Sequence, residues 1–147
     1  MMGKTIRRRL ILLLCAFASP LWAEVGTVEQ VENGVIIRGG TTITAEVGDD
    51  VEQGDILQTV PSGLMHVRMI DNTRFVVGQG TTISIDTALI GGDPTKFESL
   101  AVGVTVGVFR FLSGDSEKSA YEVNTPSATM GIRGTIFEIV VTRVPLR

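Results

Sequence analysis

The chain has 147 residues, with 13 Lys+Arg against 16 Asp+Glu, one Cys, one His and 17 glycines. Lys4, Arg7, Arg8 and Arg9 fall in the first 23 positions, where there is no acid, so residues 24–147 set 9 positive charges against 16 negative, a net of −7. That balance argues against a nucleic-acid partner, because phosphate backbones need clustered Lys and Arg. Cys15 also belongs to the first segment, so the remainder has no thiol for disulfides, metal thiolates or a cysteine nucleophile.

Residues 1–23 read as a secretory signal peptide. A basic start is followed by the apolar run Leu10 to Ala18, and Pro20-Leu21-Trp22-Ala23 ends on a small residue. Cleavage is expected after Ala23, with no stable membrane span left afterwards. An uncleaved anchor fits less well, since an apolar core of about ten residues is short for about 30 Å of hydrocarbon. Ile6 before Arg7-Arg8 argues against twin-arginine export, and Leu14 before Cys15 argues against a lipoprotein. The domain division is therefore a signal peptide at 1–23 and one β domain at 24–147, exported to the periplasm or beyond.

From residue 24 the chain reads as short strands broken by turn residues. Val25 to Val31 alternates, Asn33-Gly34 gives a hairpin signal, and Val35 to Arg38 would return. Gly39-Gly40 breaks the run and Thr41 to Val47 resumes. The clusters Gly48-Asp49-Asp50 and Gln53-Gly54-Asp55 flank Val51. Ile56 to Val60 is a strand stopped by Pro61-Ser62-Gly63. Leu64 to Ile70 sets Met65, Val67 and Met69 against His66 and Arg68. Asp71-Asn72-Thr73 is a turn, then come strands at Arg74 to Val77 and Thr81 to Ile85 and a longer connection over 86–96. Phe97 to Leu112 places Leu100, Val102, Val104, Val106 and Val108 on one face, opposite Ala101, Gly103, Thr105 and Gly107. Tyr121 to Asn124 and Ile136 to Thr142 are the last strands. No stretch after residue 23 carries a helical period. The fold class expected is all-β, a single compact domain of short strands, β-solenoid-like or sandwich, preceded by a signal-peptide helix.

Few residues suggest reactive chemistry. Gly48-x-x-Val51-x-x-Gly54-x-x-Leu57 resembles the pattern of biotinyl and lipoyl carriers, but no lysine lies between Lys4 and Lys96 to carry the cofactor. Two tight turns around a buried Val51 remain. His66 has no second imidazole or thiol with which to bind a metal, and no Gly-x-Ser-x-Gly elbow with which to form a triad. Asp49, Asp50, Asp55 and Asp71 lie in turns without the spacing of a calcium loop. No catalytic residue, metal or cofactor is expected, and the chain is expected not to be an enzyme.

The segment Thr125-Pro126-x-Ala128-x-x-Gly131-Ile132-Arg133-Gly134-Thr135-x-Phe137 is the most distinctive in the chain. Glycines around an arginine could cradle an anion, yet a strand rather than a helix follows, unlike a phosphate loop. The architectural reading makes it a sharp crossover, with Ile132, Ile136 and Phe137 in the core and with Arg133 and Thr135 locking the turn. This segment resembles the C-terminal signature of the FecR-type domain. Gly26 to Val31, the turn pair around Val51, Val67 to Phe75 and Val102 to Phe109 resemble the rest of that domain in order, over roughly residues 26 to 141.

The best-known members regulate iron-siderophore uptake in Gram-negative bacteria. They join a cytoplasmic anti-sigma segment and a transmembrane helix to this periplasmic module, which contacts an outer-membrane receptor. This chain starts on a signal peptide and stops at residue 147, so the expectation is the exported module alone. The resemblance implies a non-catalytic interaction module of the bacterial envelope. Thr125, Pro126, Gly131, Arg133, Gly134 and Thr135 would be its structural or interaction motif, and strand addition the means of binding an envelope protein. The alternative is a small-ligand or glycan-binding domain, disfavoured by the scarcity of aromatic residues.

Overall fold

The computed structural model describes residues 23–143. The expected signal-peptide helix lies outside the described residues. Ten strands follow: β1 Glu24–Arg38, β2 Thr41–Thr44, β3 Asp50–Glu52, β4 Ile56–Met69, β5 Arg74–Val77, β6 Thr82–Ile90, β7 Phe97–Leu112, β8 Tyr121–Asn124, β9 Thr129–Gly131 and β10 Ile136–Val141. The one helical element among the described residues is a 3-10 turn at Lys118–Ala120. All ten strands belong to one barrel-like sheet of order β2-β1-β4-β5-β7-β8-β9. β6 bridges β4 and β7, β3 adds to β1, and β10 adds to β7. The expected single all-β domain is what the chain forms.

Three strands are longer than the turn residues suggested. Asn33-Gly34 does not turn a hairpin. β1 passes straight through it, with Asn33 at φ 49°. The antiparallel partner β4 likewise runs through Pro61 to Gly63, so that Val60, Pro61, Ser62 and Gly63 stand opposite the single residue Asn33. The unequal count is a bulge, which bends the pair while keeping it bonded on either side. The connection expected over 86–96 is also shorter. β6 stays paired with β7 as far as Ile90↔Phe97, leaving only residues 91–96 to turn.

In β7 a bulge changes which face is buried. Leu100, Val102 and Val104 are buried as the alternation predicts, but Val108 is 39% exposed while Phe109 and Phe111 are fully buried. The register skips Thr105, with Thr82 facing Val106 and Ile83 facing Val104, and Gly107 takes φ 111°. One extra residue in a period-two element exchanges its faces. A Cβ on Gly107 would lie 2.5 Å from Thr81 Cα, so the crossing also requires a residue without a side chain.

These bends let the sheet enclose one core. Phe75, Phe109, Phe111 and Tyr121 form its aromatic centre, with ring centroids 5.1 Å apart for Phe111–Tyr121 and 5.3 Å for Phe75–Phe111. Each such buried side chain contributes about 1.5–3 kcal/mol relative to exposure. The turn pair around Val51 forms as predicted: Gly48 and Gly54 take φ 93° and 90°, and Val51 is 0% exposed.

Candidate functional site

The Thr125 to Thr135 segment carries the chain across one end of the sheet. β8 enters it as the parallel neighbour of β7, from Leu100↔Tyr121 to Gly103↔Asn124. Thr125 then closes a tight turn around Pro126. Its backbone N–H donates to the Ala128 carbonyl at 2.8 Å, and its Oγ1 accepts from the Ala128 N–H at 3.1 Å. β9 pairs back on β8 and ends at Gly131. Ile132, 3% exposed, enters the core while its N–H donates to the Tyr121 carbonyl at 3.2 Å. Past it, the Ser113 N–H donates to the Thr135 carbonyl at 2.9 Å, and β10 begins along the end of β7.

The turn is thus held by Thr125, Ile132 and the Thr135 carbonyl. Arg133, Gly134 and Thr135 are themselves exposed. Among the described residues Arg133 makes no ion pair. It lines a cleft of about 410 Å³ with Lys118, Ser119, Tyr121, Gly131 and Ile132. Lys118 donates to Ser113 Oγ, and its Nζ stands 5.9 Å from the centre of the Tyr121 ring.

After the crossing the chain forms β10. It pairs with β7 along its whole length, from Ile136↔Leu112 to Val141↔Gly107, and no described strand pairs with its other edge. Phe137, Ile139 and Val141 pack partly against the core. Ile136, expected in the core, instead points outwards with Val140; they are 64% and 61% exposed. The alternation of β10 that turns Phe137 inwards necessarily turns its neighbour out. Val140 lies directly opposite the exposed Val108, and between the two outward valine and isoleucine positions Glu138 accepts from Arg110 Nη2 at 2.6 Å.

Two polar clusters form around the buried carboxylates of Asp55 and Asp71, neither of which the sequence marks as buried. Arg38 grips Asp55 with two fork nitrogens, Nε to Oδ1 at 2.8 Å and Nη2 to Oδ2 at 2.7 Å, and Asp55 also accepts the Glu52 N–H at 2.8 Å. The hydrogen bond to Asp55 raises the Arg38 guanidinium above its ordinary value. Asp71 accepts from Tyr121 Oη at 2.6 Å, from Ser116 Oγ at 2.7 Å and from the Thr73 N–H at 3.0 Å. Burial, followed by the hydrogen bond to Asp71, pushes the Tyr121 phenol up. Every buried side-chain polar atom among the described residues has a partner. The buried carboxylates in both clusters are satisfied internally, and each ties loops together. Both aspartates read only as turn residues, because nothing local announces which turn carboxylate will be buried.

His66 lies on the outward side of β4 with Arg68, opposite the buried Met65 and Val67, as the alternation indicates. No described group of three or more His, Cys, Asp or Glu is placed to hold a metal ion. No described helix is long and apolar enough to cross a membrane.

No curated protein and no solved structure is a significant match to the chain. A family model described as FecR protein matches residues 55–144, which takes in β4 to β10, including the bulged β7 and the whole Thr125 to Thr135 crossing. The chain belongs to the FecR family.

Proposed function

We propose that the chain is a non-catalytic interaction module exported to the envelope of a Gram-negative-type bacterium, which binds a protein partner by strand addition along β10. Family membership supports a regulatory, envelope-associated setting. The observation that carries the binding mode is the edge of β10 with which no described strand pairs. The strands at the two ends of the sheet order, β2 and β9, have four and three residues, whereas β10 has six.

Natural edges are usually blunted by Lys, Pro, bulges or shortness. β10 reads Ile136-Phe-Glu-Ile-Val-Val, with no Lys, no Pro and a register with β7 free of shifts, and its one charge, Glu138, is already paired with Arg110. Its outward side chains give an added strand something to pack on as well as backbone groups to pair with. The glycan-binding alternative has less support. Phe75, Phe97, Phe109, Phe111 and Tyr121 are all buried and Phe137 is half-buried, so no described aromatic ring stands out as a sugar platform.

The test places a photo-crosslinking residue at position 140 in the intact cell envelope. One discrete protein adduct is expected. Adding Ile136→Lys to the same chain puts a charge on the outer face of the edge strand and should abolish that adduct. The melting temperature should stay within about 2 °C of the parent, since exposed substitutions usually change stability by less than about 0.5 kcal/mol. An adduct that survives Ile136→Lys unchanged, or no adduct at all, would refute the proposal.

A further inference from the structure

We infer that the cleft between the 3-10 turn at Lys118–Ala120 and the loop that leaves β9 is a carboxylate-recognition site, in which Arg133 and Lys118 take an acidic side chain from a protein partner. The inference rests on the reading of this domain as a binding module, but not on strand addition at β10.

The first ground is the distribution of charge. Arg38, Arg68, Arg74 and Arg110 are each in an ion pair with a neighbouring Glu or Asp. Lys96, Lys118, Arg133 and Arg143 are in none among the described residues, and of these four Lys118 and Arg133 line the same cleft. Over residues 24–147 acids outnumber cations 16 to 9, so two cations left over in one cleft run against the surrounding charge. The cleft floor is fixed, because Tyr121 and Ile132 are buried side chains of the core. Lys118 is steadied by its bond to Ser113 Oγ.

The second ground is independent of charge. Neither Gly131 nor Gly134 takes a positive φ. A Cβ on Gly131 would meet nothing within 4 Å, and one on Gly134 would meet only the Ile136 carbonyl at 3.8 Å, an ordinary contact. The fold therefore does not need glycine at either position. What two missing side chains do provide is bare backbone on both sides of Arg133, where another chain can come close.

The chemistry favours a single carboxylate. A guanidinium fork matches a carboxylate with two parallel hydrogen bonds, and a neighbouring ammonium adds a point charge. A polyanion carries many charges past the cleft and meets the acidic remainder of the domain, within a screening length of about 8–10 Å. An acidic residue in a protein segment brings one charge and leaves its neighbours to pack on the glycine surface.

The experiment is an NMR titration of the whole exported chain, following the amides of residues 118 and 131–135. The probes are acetate and a blocked Gly-Glu-Gly tripeptide, with sodium chloride at equal ionic strength and inorganic phosphate as the other arms. Saturable shifts with both carboxylate probes are expected. Arg133→Ala and Lys118→Ala should each weaken them by about fivefold or more, and Arg133→Lys should recover only part of the loss. Gly131→Ala and Gly134→Ala should leave the melting temperature unchanged and weaken the tripeptide more than acetate. Shifts reproduced by chloride, phosphate binding more tightly than the carboxylates, or glycine variants that unfold would each overturn the inference. Because these probes require no partner, a negative result here leaves the β10 crosslink intact as a separate test.

Discussion

Gly107 and Gly131 show that the same residue type answers to different demands in this protein. Gly107 sits at φ 111° with the Thr81 backbone where its Cβ would be, while the Thr81 Oγ1 accepts the Val108 N–H at 2.9 Å. Gly107→Ala adds a strained φ to a backbone clash, and the expected loss is on the order of 3 kcal/mol or more, measured by chemical denaturation. Gly131 meets neither condition. The two could not be distinguished from sequence, where both simply stand among small residues near a strand. Arg133 is a similar case: its position between glycines was legible, but its having no ion pair among the described residues depends on which acids fold next to it.

At the scale of elements, the bulge at Asn33 makes two long strands, β1 and β4, out of what read as four short ones. The turn residues form the turn they indicate at Asp71-Asn72-Thr73, where Asn72 takes φ 64° and Asp71 Oδ1 accepts the Thr73 N–H. They misled at Asn33-Gly34, because a residue tolerant of positive φ serves a bulge as readily as a hairpin. The junction of β1, β3 and β4 is then fastened by Arg38 and Asp55. Asp55→Ala removes both halves of that grip and leaves the Glu52 N–H without its acceptor. A loss of about 2–4 kcal/mol is expected, read as a lowered denaturation midpoint with an unchanged slope.

Across the whole molecule, Tyr121 joins parts of the chain that are far apart in sequence. Its ring packs on Phe111, and its hydroxyl meets Asp71 from the β4–β5 turn and the Ser116 N–H from the connection after β7. Because burial raises the phenol above its ordinary value, the native state favours the neutral form. That contribution is complete below the unfolded pKa of about 10 and is lost as pH rises through the higher folded value. Denaturation at a series of pH values should therefore show stability falling on the alkaline side. Tyr121→Phe should flatten that limb, and at pH 7 it should cost about 1–3 kcal/mol because Asp71 loses a buried donor.

The sequence by itself determined the all-β class, the turn pair around Val51, the inward face of β4 and the boundaries of the C-terminal crossing. These follow from local rules: period-two alternation, positive-φ residues and side-chain bonds within a turn. Only the tertiary structure decided that β7 exchanges its faces near Gly107, that Asp55 and Asp71 are the buried turn acids, and that no described strand pairs with the outer edge of β10. Each depends on what lies across the sheet, and a strand's alternation records that it has two faces without recording which one meets the core after a bulge.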